Sequence, residues 1–402
     1  MLRVLHIVKT SEGARWAALQ AAELVRRGVD VHVVLPNSRG RSVEEWKRAG
    51  AVIHLADLDL PLRCFWKLPN IYRTVRQLVD HIRPDVVHTH HVGATVAVRR
   101  ALVKYPAVPR VFQVAGPLHL EHALPRAVEI SSAALNDHWI CTSRCILSHY
   151  LNVGISPDRL FLSYAGTDTH QYSTERSGIL RDALGIRDSD LVVGNINFIY
   201  APKLYLGQRV GLKCHEDVID AIAEAMEAEP RIVGVLVGGA WCDAQWYERK
   251  LRARAEARGN GRIKMPGFLP IEKVKAAWCD FDCAVHVPLT ENCGGCLEPL
   301  LSGVPTIAAN VGGLPELVIN GLTGRTVSAR RHQELVSAIL DVVGNLAHYR
   351  ALAQNGRRLV SAMFDVKRTA SEVHQIYEYI LRRGARPSSF DASSVGMSSE
   401  KV

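Results

Sequence analysis

The sequence predicts an α/β protein made of two doubly wound domains, each a parallel sheet wrapped by helices. Three observations carry this expectation. The chain has 402 residues, 48% of them hydrophobic, which is enough for two domains that each bury a core. Short β-branched runs alternate with longer amphipathic segments, as in strand-helix-strand units. The alternation stops at a polar, turn-rich stretch near residue 170 and then begins again.

In order along the first half, LRVLHIV, VDVHVVLP, AVIHLA, DVVHTH, RVFQV, HWICT and RLFLSY read as strands. Between the first two, Ala14 to Arg27 sets Ala17, Ala21, Leu24 and Val25 on one helical face. AGTDTHQYSTERSG reads as a linker. The second half continues with LVVGNI, RIVGVLVGG, GRIKMPG, DCAVHV and PTIAAN, again with helices between. In such sheets ligands sit at the carboxyl ends of the strands, so two facing domains are expected to form the active site in a central cleft between those ends. No repeat of 20 to 50 residues appears.

The start, MLRVLHIVKTSEG, lacks the apolar core and cleavage site of a signal peptide, and no apolar run approaches the roughly 20 residues a membrane span needs. Nine cysteines, an odd and irregularly spaced set, suit a reduced cytoplasmic protein. Between Met1 and His170 there are 21 Lys+Arg against 14 Asp+Glu, most of the net charge of +9. Part of that excess lies in PLRCFWKLPNIYRTVRQLVDHIR, where Arg63, Lys67, Arg73, Arg76 and Arg83 interleave with Phe65, Trp66 and Tyr72. This composition suits peripheral contact with an anionic membrane, and equally an ordinary solvated helix face. No nucleic-acid module accompanies the charge.

The stretch PLTENCGGCLEPLLSGVPT, Pro288 to Thr306, carries the most chemistry. Glycines let backbone N–H groups approach phosphates, and carboxylates accept hydrogen bonds from sugar hydroxyls. The turn Cys293–Gly295 would open a helix whose positive end faces an anion, with Glu298 one turn further on. Cys279, Cys283, Cys293 and Cys296 have spacings that raise a zinc reading. Gathering all four would dismantle the alternating sheet, so they are read as small residues filling a tight turn, with no metal.

From Met265 to Val327 the sequence closely resembles the donor-binding domain of retaining glycosyltransferases of family four, which have the GT-B fold. Glu291, Gly294, Glu298, Gly303, Pro305, Gly312, Gly313 and Glu316 match that family's elements in order. The resemblance implies that Glu291 contacts the transferred sugar and Glu298 the nucleotide ribose, with the donor also lying against Cys293, Gly294, Gly295 and Leu297. The family places seven residues between its glutamates where this chain has six, so either the turn is shorter or Thr290 takes the first position. In GLKCHEDVIDAIA, Cys214 stands where the family has glycine, and Lys213 points at the diphosphate to stabilise the leaving group. The family's companion arginine is missing. Arg209 or Lys203 would replace it, with Arg209 favoured.

In the first half, Gly13 stands in the family's glycine-rich loop and offers close approach to the donor or acceptor. His88 reads as structural, while His90 and His91 at the strand end are candidates for the cleft. The family's histidine after the next strand is replaced by Ala115-Gly116-Pro117, and His119, His122 or Glu121 would take over, with His119 favoured. A metal reading of these histidines is weak, because the family resembles metal-independent enzymes.

The resemblance implies domains at 1–170 (acceptor side) and 171–362 (donor side) and a helix at 363–384 returning to the first domain, while composition marks a disordered tail at 385–402. It implies a retaining, metal-independent hexosyltransferase that needs no cofactor. Such an enzyme would move a sugar from a UDP- or GDP-linked nucleotide-sugar to a lipid-linked, polysaccharide or other glycan acceptor, in the cytoplasm or on the inner face of the membrane. A GT-B sugar-nucleotide epimerase and a non-catalytic nucleotide-sugar-binding protein are the alternatives.

Overall fold

The computed structural model describes residues 1–61 and 64–396, so Arg63 of the basic stretch and residues 397–402 of the expected tail lie outside the described residues. The chain divides into two compact units, one made of Met1–Asp168 and Met363–Asp391 and one built on Thr169–Ala362.

The first unit holds β1 (Arg3–Ile7), β2 (Asp30–Leu35), β3 (Val52–Leu55), β4 (Val86–Thr89), β5 (Arg110–Val114), β6 (Asp137–Cys141) and β7 (Leu160–Leu162). They form one sheet in the order β3-β2-β1-β4-β5-β6-β7 with parallel pairing throughout. β4 and β5 are buried along their whole length, as expected of a parallel strand covered on both faces. The helix Arg15–Arg26 turns Ala17, Ala21 and Leu24 into the core, as their spacing requires.

Beside that helix lies Val366–Ile380, whose Val373, Ile376 and Tyr377 belong to the same buried cluster. Asp365 opens this helix by accepting from Arg368 N–H. The stretch expected to be disordered from residue 385 is packed at its start. The Arg386 guanidinium lies 4.8 Å from the Phe161 ring centre, and Phe390 is buried beside Tyr164. Composition alone missed these two anchors in a Ser- and Gly-rich segment.

The second unit holds β8 (Leu191–Ile196), β9 (Ile232–Val237), β10 (Ile263–Gly267), β11 (Cys283–His286), β12 (Thr306–Ala309) and β13 (Arg325–Val327), in the order β10-β9-β8-β11-β12-β13 and again parallel. Each run read as a strand forms one. β13 was not anticipated, because its three residues are too few to show a pattern. Strand order reverses between β1 and β4 and between β8 and β11, and the loops leaving those strands open the crevice of a doubly wound sheet.

Candidate active site

β11 ends at His286, and the chain then turns through Glu291 into the helix Gly294–Leu301. The Glu291 carboxylate meets the Lys213 ammonium in a close ion pair, and its Oε2 lies 3.2 Å from His286 Nε2. Burial by itself raises the Glu291 pKa. The Lys213 charge and the His286 bond outweigh it and hold the carboxyl well below the usual range. Burial also lowers the His286 pKa, so its ring is neutral at pH 7. An ionised carboxylate only accepts, so His286 Nε2 carries the hydrogen. His286 Nδ1 then accepts from Asn197 Nδ2 at 3.3 Å. A relay of Asn197, His286, Glu291 and Lys213 thus spans the ends of β8 and β11, at the reversal of the second sheet.

Two glycines make this possible. A Cβ on Gly295 would lie 1.9 Å from His286 Nε2, and one on Gly312, at φ 55°, would lie 1.7 Å from the Glu291 carbonyl oxygen. Gly294 faces open space. Lys213 sits just before the helix His215–Ala228, next to Cys214, which adopts the left-handed conformation at φ 50°. The family's glycine at that position needs no steric strain. A buried cysteine holds the same turn here at a cost of about 1 kcal/mol.

Glu298 is engaged elsewhere in the unit: Oε1 accepts from the Tyr172 hydroxyl at 3.1 Å and Oε2 from Trp278 Nε1 at 3.0 Å. Leu297 and Cys296 are buried, as is Cys293 just before the helix, whose Sγ lies 3.5 Å from the Gly313 carbonyl oxygen. Arg209 is exposed and makes no ion pair among the described residues, while Lys203 is half-buried with its backbone N–H on Gln208. Beyond the ends of β8, β9 and β10, Phe198, Tyr200, Trp241 and Phe268 form an aromatic cluster, with Phe198 and Trp241 ring centres 4.9 Å apart. Burial and the nearby Glu291 charge push the Tyr200 hydroxyl up to about 12.

In the first unit, Gly13 is half-buried in the loop after β1, and the left-handed residue there is Ala14 at φ 61°. His119 turns inward rather than lying free on its loop. Its ring packs on Phe112, Nε2 lies 3.3 Å from the Tyr150 hydroxyl, the Gly116 backbone takes a second bond, and burial lowers its pKa to about 4. His90, a candidate for the cleft from its place at the strand end, is fully buried.

Among the described residues, His6, His88 and His90 form the one grouping with metal-ligand reach. The four cysteines of the zinc reading do not gather, and all nine cysteines are free thiols. In the histidine group, His6 Nδ1 lies 2.9 Å from His90 Nε2 and His88 Nδ1 meets the Tyr377 hydroxyl. Burial lowers the pKa of all three rings, so they are neutral imidazoles, and His6 Nε2, His88 Nε2 and His90 Nδ1 are buried without a hydrogen-bond partner among the described residues.

Residues 13–171 match the family described as Glycosyltransferase Family 4, and residues 203–359 match Glycosyl transferases group 1. The chain belongs to the group 1 glycosyltransferases. This glycosyltransferase is 22% identical over 366 residues to an uncharacterised glycosyltransferase of Methanocaldococcus jannaschii, covering 90% of this chain and 93% of that protein. It is 26% identical over 354 residues to the D-inositol 3-phosphate glycosyltransferase of Corynebacterium aurimucosum, covering 79% of each. The crystal structure of Anabaena HepE in complex with UDP superposes with a TM-score of 0.77 at 21% identity, over 94% of this chain and all of that one. The glycosyltransferase therefore has the GT-B fold.

The hydrogen-bond partners of Glu291 and Glu298 that the sequence did not single out are His286, Tyr172 and Trp278. Asn197, just past the end of β8, completes the relay without a local pattern that points to His286. The pattern offered a signal only for His286, as the last residue of a strand beside the reversal.

Proposed function

We propose that this chain transfers a hexose from a UDP- or GDP-linked sugar to a glycan, polysaccharide or lipid-linked acceptor, with retention of configuration and without a metal cofactor. The observation that carries this reading is the relay of Asn197, His286, Glu291 and Lys213 at the reversal of the second sheet. It pre-positions one ammonium and one ionised carboxylate, the two groups a nucleotide-sugar needs. Lys213 turns from Glu291 to the donor diphosphate and stabilises the charge that develops as the sugar leaves. Glu291, released, accepts from hydroxyls of the transferred sugar. The Gly294–Gly295 helix start presents backbone N–H groups to the phosphates. Glu298, oriented by Tyr172 and Trp278, keeps lone pairs for the ribose hydroxyls. The acceptor hydroxyl attacks from the face the diphosphate leaves, and a departing phosphate oxygen takes its proton.

The test is a donor-turnover assay with UDP- and GDP-sugars, with and without glycan and lipid-linked acceptors, reading the anomeric configuration of the product by NMR. Acceptor-dependent turnover giving the donor's configuration supports the proposal. Turnover without any acceptor identifies an epimerase, binding without turnover identifies a binding protein, and an inverted product overturns the mechanism.

A further inference from the structure

At the opposite end of the second sheet from Glu291, a cavity of about 550 Å³ opens where the chain enters β11 and β12. Its lining includes Arg176, Asp282, Ser302, Arg350 and Gln354. Asp282 is buried, and its Oδ1 accepts from Arg176 at 2.9 Å and Arg350 at 3.2 Å. Its Oδ2 accepts from Arg181 at 2.6 Å and from Val192 N–H at 3.0 Å. Four bonds fill the capacity of one carboxylate. The neighbouring Asp280 is occupied as well, taking the backbone N–H groups of Ser177, Gly178 and Leu180.

Three guanidiniums, those of Arg176, Arg181 and Arg350, therefore share the one saturated carboxylate of Asp282. Arg176 and Arg350 each make a single hydrogen bond among the described residues, to the same oxygen, and both reach the cavity half-exposed. A guanidinium carries five N–H donors in a planar fork, so most of the donors of this pair stay open toward the cavity. A phosphate oxyanion matches that fork bidentately and offsets the excess charge. The volume lies in the range that takes a small organic molecule, about 300 to 1,000 Å³, rather than a bare ion, and Ser302 and Gln354 suit a hydroxylated body.

We propose that this cavity is a second, non-catalytic binding site for a sugar phosphate, whose phosphate is gripped by Arg176 and Arg350. The site is separate from the Lys213–Glu291 pair and stands whether or not the donor reading does.

Calorimetric titration of the full chain with glucose 6-phosphate and with inorganic phosphate tests it. We expect one site per chain for the sugar phosphate. The double variant Arg176→Gln/Arg350→Gln should weaken it at least tenfold, because Arg181 still pairs Asp282 and keeps the fold. Circular dichroism and a wild-type melting temperature check that fold, and single variants replace the double one if it melts early. Lys213→Ala should leave the affinity unchanged. Tighter binding of the sugar phosphate than of inorganic phosphate supports the cavity's shape. No binding at millimolar ligand, or loss in Lys213→Ala with retention in the arginine variants, overturns the proposal.

Discussion

Replacing Lys213 with alanine removes the cation that Glu291 and His286 hold ready, so donor turnover should fall by roughly 10²-fold, the scale of losing one preorganised electrostatic partner. Glu298→Ala should lose a similar factor and also weaken free-nucleotide binding, while Trp278→Phe, which removes one orienting bond along with some core volume, should cost less turnover. Steady-state kinetics with nucleotide titration checks all three. Equal, small effects would remove the donor assignment. His119→Ala should behave differently. With its ring packed on Phe112 and bonded to Tyr150, we expect a lower melting temperature and near wild-type nucleotide affinity. A lost catalytic rate at unchanged stability would return His119 to the substrate. Lys213 and Glu291 were singled out in the sequence through the family resemblance, whose local motifs contain them. Asn197 and His286 were not legible as partners, since they meet across 89 residues of chain and neither has a local pattern that points to the other.

At the scale of an element, the start of the helix Gly294–Leu301 depends on Gly295. A methyl there would overlap the His286 ring, so Gly295→Ala should displace the relay and cost about 1–3 kcal/mol of stability, read as a lower urea midpoint together with slower turnover. Gly294→Ala, facing open space, should be nearly neutral, and the contrast between the two glycines is the check. Most of the strands were easy to foresee, because a parallel strand buried on both faces, such as β9, is a short β-branched apolar run bounded by turn residues. β13 and the packed start of the tail escaped, since three residues or a few scattered anchors make no period.

A second element makes a prediction of its own. Phe65 is 61% and Trp66 75% exposed on the turn Phe65–Lys67 that leads into the helix Leu68–Ile82, where Arg73 is exposed while Ile71, Val75 and Val79 face inward. Co-sedimentation with vesicles containing phosphatidylglycerol should exceed that with neutral vesicles and fall in Phe65→Ala/Trp66→Ala. Equal sedimentation with both lipids would leave the patch a solvated surface.

For the whole molecule, pH is the sharpest probe. Burial lowers His6, His91 and His215 to about 3, and His119 and His138 to about 4, whereas the unfolded chain binds these protons near 6.5. The unfolded state therefore holds more protons below 6.5. These histidines make no contribution to the slope above that value, and stability should fall as pH drops from about 6.5 toward 4, each such histidine contributing up to about 1.4 kcal/mol per pH unit. Urea midpoints at pH 7.5, 6 and 5 measure this, and His138→Gln should flatten the slope. A midpoint indifferent to pH over that range would mean these rings are not buried neutral.

The helix Val366–Ile380 also sets a schedule. It supplies Val373, Ile376 and Tyr377 to the core of the first unit, although Thr169–Ala362 of the second unit is encoded between. A ribosome adding about 5 to 20 residues per second needs on the order of 10 to 40 s to get from the end of β7 to that helix. Throughout that interval the first unit must wait with one face of its core uncovered, so the domain begun first closes only after Thr169–Ala362 has been made.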